Sequence, residues 1–231
     1  MRALLAILAV IVLLGAALII SDRVAERFTS GLIAQQLSTQ LHLSRQPTVT
    51  IAGFPFLTQV ASGDYQEVDI SIPSVSALAA TVEDVTATAR DIHARTLLSK
   101  AADVRLASAR VVDVAGRIPL SSIPLPPGFT ASDSHSELRV SGTISVLGFS
   151  VPLKATEHLE LDGSTVNLRP TNIQAQARGS TYQVPASVTK ALTVSIDLSG
   201  LPFHARLTRL SIDPAGLHVA GRAQHVSLAG G

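Results

Sequence analysis

Seven histidines stand singly at positions 42, 93, 135, 158, 204, 218 and 225. None belongs to an H-E-x-x-H segment or a close pair, the spacing that sets two imidazoles on one zinc ion. His158 and Glu160 share one face of an expected strand and would hold a metal only if a third ligand reached them; a solvated strand face is the simpler reading. Ser132-Asp133-Ser134-His135 contains the residue types of nucleophilic catalysis. Neighbours in a loop do not make three side chains held in line beside an oxyanion hole, and the sequence has no G-x-S-x-G elbow. Neither phosphate-cradling glycine motif occurs. Glu83 and Asp84 are adjacent, so on a strand they point to opposite faces and cannot act as a pair on a glycosidic bond. The absence of Cys removes disulfides, thiolate metal sites and Cys nucleophiles. The expectation is a chain with no catalytic residue, no metal and no cofactor: not an enzyme.

The basic residues are nearly all Arg, with Lys only at 100, 154 and 190. Arg90, Arg95, Arg105 and Arg110 lie in one quarter of the chain, and Arg206 and Arg209 follow a second Phe-bearing loop. Arg grips phosphate with a fork of donors, but Asp91 and Asp103 lie among the first group, so salt-bridged surface is the default and a lipid-phosphate site the sharper alternative. Eighteen Lys and Arg against 17 Asp and Glu leave a formal charge of +1, which gives no footprint for nucleic acid.

The elements that must position these residues begin with residues 3–20, which contain no polar side chain. Eighteen residues rise about 27 Å as a helix, close to the hydrocarbon thickness of a bilayer. An uncleaved membrane anchor over 1–21 is favoured over a secretory signal, because the apolar run continues past the small residues Gly15-Ala16-Ala17. Either way Arg2 favours the cytoplasmic side and places 22–231 outside the cytoplasm. Residues 22–43 read as an amphipathic helix, with Val24, Phe28 and Leu32 in one row and Ile33, Leu37 and Leu41 beside it. Packing of this helix on its own domain is the first expectation, and a membrane-lying continuation of the anchor the second.

Beyond Pro47 the pattern turns to period two. Strands are expected at 48–51, 66–72, 82–94, 109–115, 138–146, 151–161, from Val166 to a stop at Pro170, at 194–198, 207–212 and 217–219, with a short helix over 97–106. The Pro-rich stretch 119–136 reads as a loop or hinge and the best boundary between halves. The class is α+β: a long N-terminal helix packed against a curved antiparallel β-meander.

Gly53-Phe54-Pro55-Phe56 recurs as Gly200-Leu201-Pro202-Phe203, two places where apolar residues straddle a Pro beside a Gly. Such a sequence favours an exposed turn with large apolar groups at its tip; a hydrophobic plug at the end of the core is the alternative. The run Gly53-Phe54-Pro55-Phe56-Leu57-Thr58-Gln59, with Gly63-Asp64-Tyr65 and Val68-Asp69-Ile70 after it, resembles the LmeA-like phospholipid-binding family of actinobacterial envelope proteins. The resemblance covers essentially the whole chain, to Gly216-Leu217-His218-Val219. It implies a fold similar to tubular lipid-binding domains, and binding of anionic phospholipids such as phosphatidylinositol and its mannosides, with no known catalysis. It also implies a place on the periplasmic side of the inner membrane and a carrier or accessory role in lipoglycan (lipomannan) elongation. On that reading Phe54, Phe56 and Leu57 sit at the mouth of a lipid cleft, with Leu201 and Phe203 at a second lip. Small residues at 77, 79, 80, 87 and 89 leave room for acyl chains, or else simply let strands pack closely on the helix. A structural or assembly protein of the envelope, binding a protein partner, is the rival.

Overall fold

The structure, a computed structural model, describes residues 2–40, 42–76, 80–94, 107–146, 149–177, 180–199 and 205–227. Helix α1 runs without a break over Arg2–Gln40. Among the described residues no helix is long and apolar enough to cross a membrane; the side chains of residues 1–12 and 14, on which the anchor expectation largely rests, lie outside them. The helix expected over 97–106 also lies outside the described residues.

Among the described residues twelve strands follow: β1 (Thr48–Ala52), β2 (Asp64–Ser76), β3 (Thr81–His93), β4 (Ser108–Ile118), β5 (Thr130–Ser134), β6 (Glu137–Val146), β7 (Phe149–Asp162), β8 (Thr165–Ala177), β9 (Ser180–Thr181), β10 (Val194–Asp197), β11 (Arg206–Asp213) and β12 (Gly216–Ser227). The short helices α2 (Phe56–Ser62) and α3 (Ala186–Leu192) interrupt them. One sheet has the order β1-β2-β3-β4-β12-β11, the other β10-β8-β7-β6-β5, with β9 beside β8. The α+β class and the antiparallel meander are as expected. The chain divides into two units, 1–71 with 87–112 and 224–231, and 72–86 with 113–223.

In the first unit, α1 lies against β1, an edge strand paired only with β2. An edge strand leaves N–H groups without ladder partners. Here Glu26 of α1 supplies an acceptor, its Oε1 taking the Ile51 N–H at 3.4 Å and the Ser30 hydroxyl at 2.9 Å. Strand alternation puts Val68 and Ile70 of β2 inside, as the period-two pattern requires. On β3 and β4 the buried positions of this unit include Ala87, Ala89 and Ala109.

In the second unit, β6, β7 and β8 present Val140, Ile144, Val151, Leu153, Ala155 and Ala175 to a core closed by Leu192 of α3, with Leu125, Phe129, Tyr182 and Val188 packed on it. Gly142 makes room for Phe129: a Cβ there would stand 2.4 Å from the ring. The stretch 119–136 holds a 3-10 turn at Leu120–Ser122 and then β5. His135 and Ser136 turn the chain into β6 with φ of 58° and 62°, the left-handed pair that a two-residue hairpin of this kind needs. Pro170 does not end β8. It pairs with Glu157 of β7, and β10 reaches only residues 165–168, so beyond Leu168 the strand has an open side where a missing N–H leaves no ladder bond unmade.

One side chain on the inner face of β7 breaks the apolar pattern. Glu157 is 4% exposed, and neither of its carboxyl oxygens has a hydrogen-bond partner. Burial pushes its pKa from 4.5 up to about 7. The folded chain therefore keeps a proton that the unfolded chain has released, and between these two values stability falls as pH rises, by at most about 1.4 kcal/mol per pH unit. Glu157→Gln is expected to flatten that slope in thermal melts followed by circular dichroism; a variant with the wild-type slope would show that the carboxyl is solvated.

Candidate functional site

The segment Gly53–Gln59 is a turn leading into α2. Gly53 sits at φ 101°, a conformation open to glycine, and a Cβ there would meet Gln59 Nε2 at 2.7 Å and Gln66 Oε1 at 3.0 Å. The Phe54–Pro55 peptide is cis. Pro55 caps α2 but offers no side-chain acceptor, so the first N–H groups of the helix need a partner from elsewhere. Asp22 of α1 provides it: its carboxylate accepts the Phe56 N–H at 3.0 Å on one oxygen and the Leu57 N–H at 2.8 Å on the other. Asp22 is itself buried, and a buried carboxylate is tolerable because both oxygens are matched by donors.

Gln59 holds the base of the loop. Its Nε2 donates to the Ala52 carbonyl at 3.2 Å, and its Oε1 accepts the Gln66 N–H at 3.0 Å. Gly63, at φ 77°, ends the helix and donates to the Gln59 carbonyl at 2.8 Å. The seven-residue run is thus a scaffold: Gly53 for the turn, Pro55 for the helix start and Gln59 for the tie to β1 and β2.

The scaffold separates the three expected mouth residues. Phe54 is 56% exposed and Leu57 39%. Phe56 is 1% exposed, packed against Tyr65 with ring centroids 6.3 Å apart. It belongs to the core, because its side chain, like that of Gln59, turns inward once Asp22 fixes the helix start. The guanidinium of Arg23 stands 5.9 Å from the centre of the Phe54 ring, within the range of a cation–π contact. Leu201 and Phe203, with the whole second Gly-Leu-Pro-Phe segment, lie outside the described residues.

Helix α1 packs on its own unit, as first expected, with Ile33 on the buried side, but the Val24 row of the expected apolar face points outward. The row Ile20, Val24, Phe28 and Leu32 is exposed, Phe28 by 66%. The buried side carries Asp22, Thr29 and Ser30 along with Ile33 and Ala34. Each buried polar group has a partner: Thr29 donates to the Ala25 carbonyl at 2.9 Å and Ser30 to Glu26 at 2.9 Å. The polar face packs inward because Asp22 and Glu26 satisfy backbone N–H groups of α2 and β1, and that rotation sends Val24, Phe28 and Leu32 outward. Arg23 and Arg27, both exposed, flank the row one residue before Val24 and Phe28. The sequence carried a signal for this: an i+4 polar pair, Asp22 and Glu26, opposite an i+4 apolar row.

Among the other candidates, the Ser134 hydroxyl and His135 Nδ1 stand 3.3 Å apart, and no third member joins them. Arg90 pairs with Glu67, Arg110 with Asp91, Arg117 with Glu83 and Asp84, and Arg222 with Asp113, the salt-bridged surface that was the default; Arg95 and Arg105 lie outside the described residues. His158 is exposed, and Glu160 pairs with Arg169 at 3.7 Å. Ser132 and Ser134 occupy one face of β5 while Asp133, between them, occupies the other, so the serine–aspartate–histidine run is no triad. Among the described residues no three His, Cys, Asp or Glu come together as metal ligands.

The geometry so far defines an α+β protein that ties down a turn with buried polar contacts and presents large apolar side chains to its surroundings. A family model, LmeA-like phospholipid-binding, matches residues 20–222. The chain belongs to this family, which is a phospholipid-binding one. Comparisons with curated proteins and with solved structures give no match.

Asp22→Ala strips one buried and one part-buried N–H group of their acceptor and is expected to lower stability by about 2–3 kcal/mol, while Gly53→Ala, strained and crowded at Gln59, should cost about 1–3 kcal/mol. Chemical denaturation of the full chain measures both. Wild-type stability in Asp22→Ala would show that α2 does not depend on α1.

Proposed function

We propose that this protein binds anionic phospholipid of the phosphatidylinositol type, or its mannosides, at the extracytoplasmic face of the inner membrane. It would be held there by residues 1–21 and serve lipoglycan elongation as a lipid carrier or accessory factor. The observation that carries the reading is the outward apolar row of α1 beside the exposed Phe54 and Leu57. A membrane covers such a row at a gain of about 25 cal/mol per Å² of apolar surface, and Arg23 and Arg27 add attraction to anionic headgroups.

Helix length decides the posture. At about 1.5 Å per residue the 39 residues of α1 extend about 58 Å, roughly twice the hydrocarbon core. Leu32 lies about 18 Å beyond Ile20 along the axis. For lipid to cover the whole row, the outer half of α1 must lie obliquely on the membrane, which brings the Phe54–Leu57 loop to the same surface.

The test uses the full chain in vesicles containing a phosphatidylinositol whose acyl chain carries a photoactivatable diazirine, with adducts mapped by peptide mass spectrometry. Adducts are expected on the folded body after residue 40 and on the outer half of α1, and to fall several-fold there in Phe54→Asp with Leu57→Asp. Both positions are exposed, so the fold is expected to survive. Adducts confined to residues 1–20 would leave a membrane anchor and no lipid-binding body.

A further inference from the structure

Arg206 and Arg209 both lie exposed on β11, an edge strand whose partner in the sheet is β12. Residues three apart on a regular strand point to opposite faces. Here the register shifts between Leu207 and Arg209, a bulge that leaves Thr208 as the extra residue. Arg206 stands opposite Arg222, and Arg209 opposite Ala220, two positions away on β12. The side chains of Arg206, Arg209 and Arg222 therefore leave one face of the sheet. It is the outer face, since Leu207, Val219 and Gly221 at the alternate positions are buried. The bulge is pinned on both sides. The Thr208 hydroxyl donates to the Ala220 carbonyl at 3.4 Å, and the Leu207 N–H to the Gly163 carbonyl at 3.0 Å.

Cations directly opposite each other on a sheet repel. Arg222 is answered by Asp113 at 2.6 Å. Among the described residues the side chains of Arg206 and Arg209 have no ion pair or hydrogen bond. Asp213, further along the same face of β11, is occupied: it accepts the Ala215 and Gly216 N–H groups at 2.8 and 3.1 Å and stands 2.9 Å from His218 Nε2. Charge on an edge strand deters pairing with other chains, but that role does not call for two cations face to face. Three guanidinium groups with one carboxylate between them leave a place for an anion. Arg keeps its charge at any physiological pH, and its planar fork of donors matches the oxygens of a phosphate. Opposite positions about 5 Å apart and diagonal ones about 7–8 Å apart are within joint reach of long side chains. Ala220 puts a small side chain opposite Arg209, so the face stays open to solvent there.

We propose that Arg206 and Arg209, backed by Arg222, form a seat for the phosphodiester of an anionic phospholipid headgroup. This inference rests on the phospholipid reading above and adds to it a site in the second unit that takes the phosphate itself. Arg23 and Arg27, on α1, supply general attraction to the surface and are not part of it.

The experiment places the full chain in phosphatidylcholine vesicles containing a phosphatidylglycerol whose glycerol head carries a diazirine, and maps adducts by peptide mass spectrometry after illumination. Adducts are expected on β11 and β12, and to fall about tenfold there in Arg206→Gln with Arg209→Gln, the worth of one charge-assisted hydrogen bond. Arg206→Lys with Arg209→Lys keeps the charge without the fork and is expected to lose several-fold; wild-type labelling in that variant means attraction to charge alone and overturns the phosphate seat. Inorganic phosphate that abolishes the labelling, where chloride of equal ionic strength does not, would make the site one for free phosphate and overturn the lipid assignment. Folded Arg206→Gln with Arg209→Gln labelled as wild type overturns the proposal, as does a wild type labelled on the folded body but not on β11 or β12. Labelling confined to residues 1–20 overturns this and the phospholipid reading together. Both arginines are exposed, so the fold is expected to survive; where the double variant fails to melt cooperatively, Arg209→Gln alone takes its place, with a several-fold loss expected and the same overturning result.

Discussion

The carboxylate of Asp22 fixes how the N-terminal helix meets the rest of its unit. A helix that begins at a proline starts with N–H groups and no local acceptor, and α2 is such a helix. By supplying both oxygens to Phe56 and Leu57, Asp22 sets the rotation of α1, the start of α2 and the inward turn of Phe56 together. Glu26, one turn on, does the same for the edge of β1 through Ile51. With two acids of α1 committed to the interior, the i+4 row on the other side has to face out.

That inversion is the structural feature with the largest functional consequence. In an ordinary surface helix the apolar stripe faces the core and the charges face water. Here matched polar contacts share the inner side with Ile33 and Ala34, and Val24, Phe28 and Leu32 face outward. An exposed row of this kind marks an interaction surface. On the reading proposed above its partner is lipid, in keeping with the apolar run at 3–20 on the same helix and the guanidinium groups beside the row. The Phe54–Leu57 loop is built to the same end: its polar ties are buried and its large apolar side chains are presented.

Much of the β body was legible because alternation survives translation into burial. Val68, Ile70 and Ile72, or Val151, Leu153 and Ala155, are inside as their spacing requires. The reading stopped β8 at Pro170 because a proline forbids a ladder bond, yet one side of the strand was free there, which depends on where β10 ends. It saw a loop at 132–136 because no Asn-Gly marks the hairpin; His135 and Ser136 adopt left-handed angles instead. The seven-residue run was recognised, but its roles follow from long-range contacts. Which of Phe54, Phe56 and Leu57 is buried depends on an aspartate 34 residues before Phe56. Glu157 stands in phase with Val151, Leu153 and Ala155, so alternation places it on the inner face; that no donor meets it there is decided by the fold and not by its neighbours in sequence.

The central claim is that membrane lipid covers the outer face of α1 and the Phe54 loop. The chain contains no tryptophan, so Phe28→Trp and Phe54→Trp each install a single fluorescent reporter in the full chain. In vesicles of anionic phospholipid with brominated acyl chains, the account predicts blue-shifted emission and strong quenching at both positions. Emission at the wavelength of water-exposed indole, unaffected by the bromines, would contradict it.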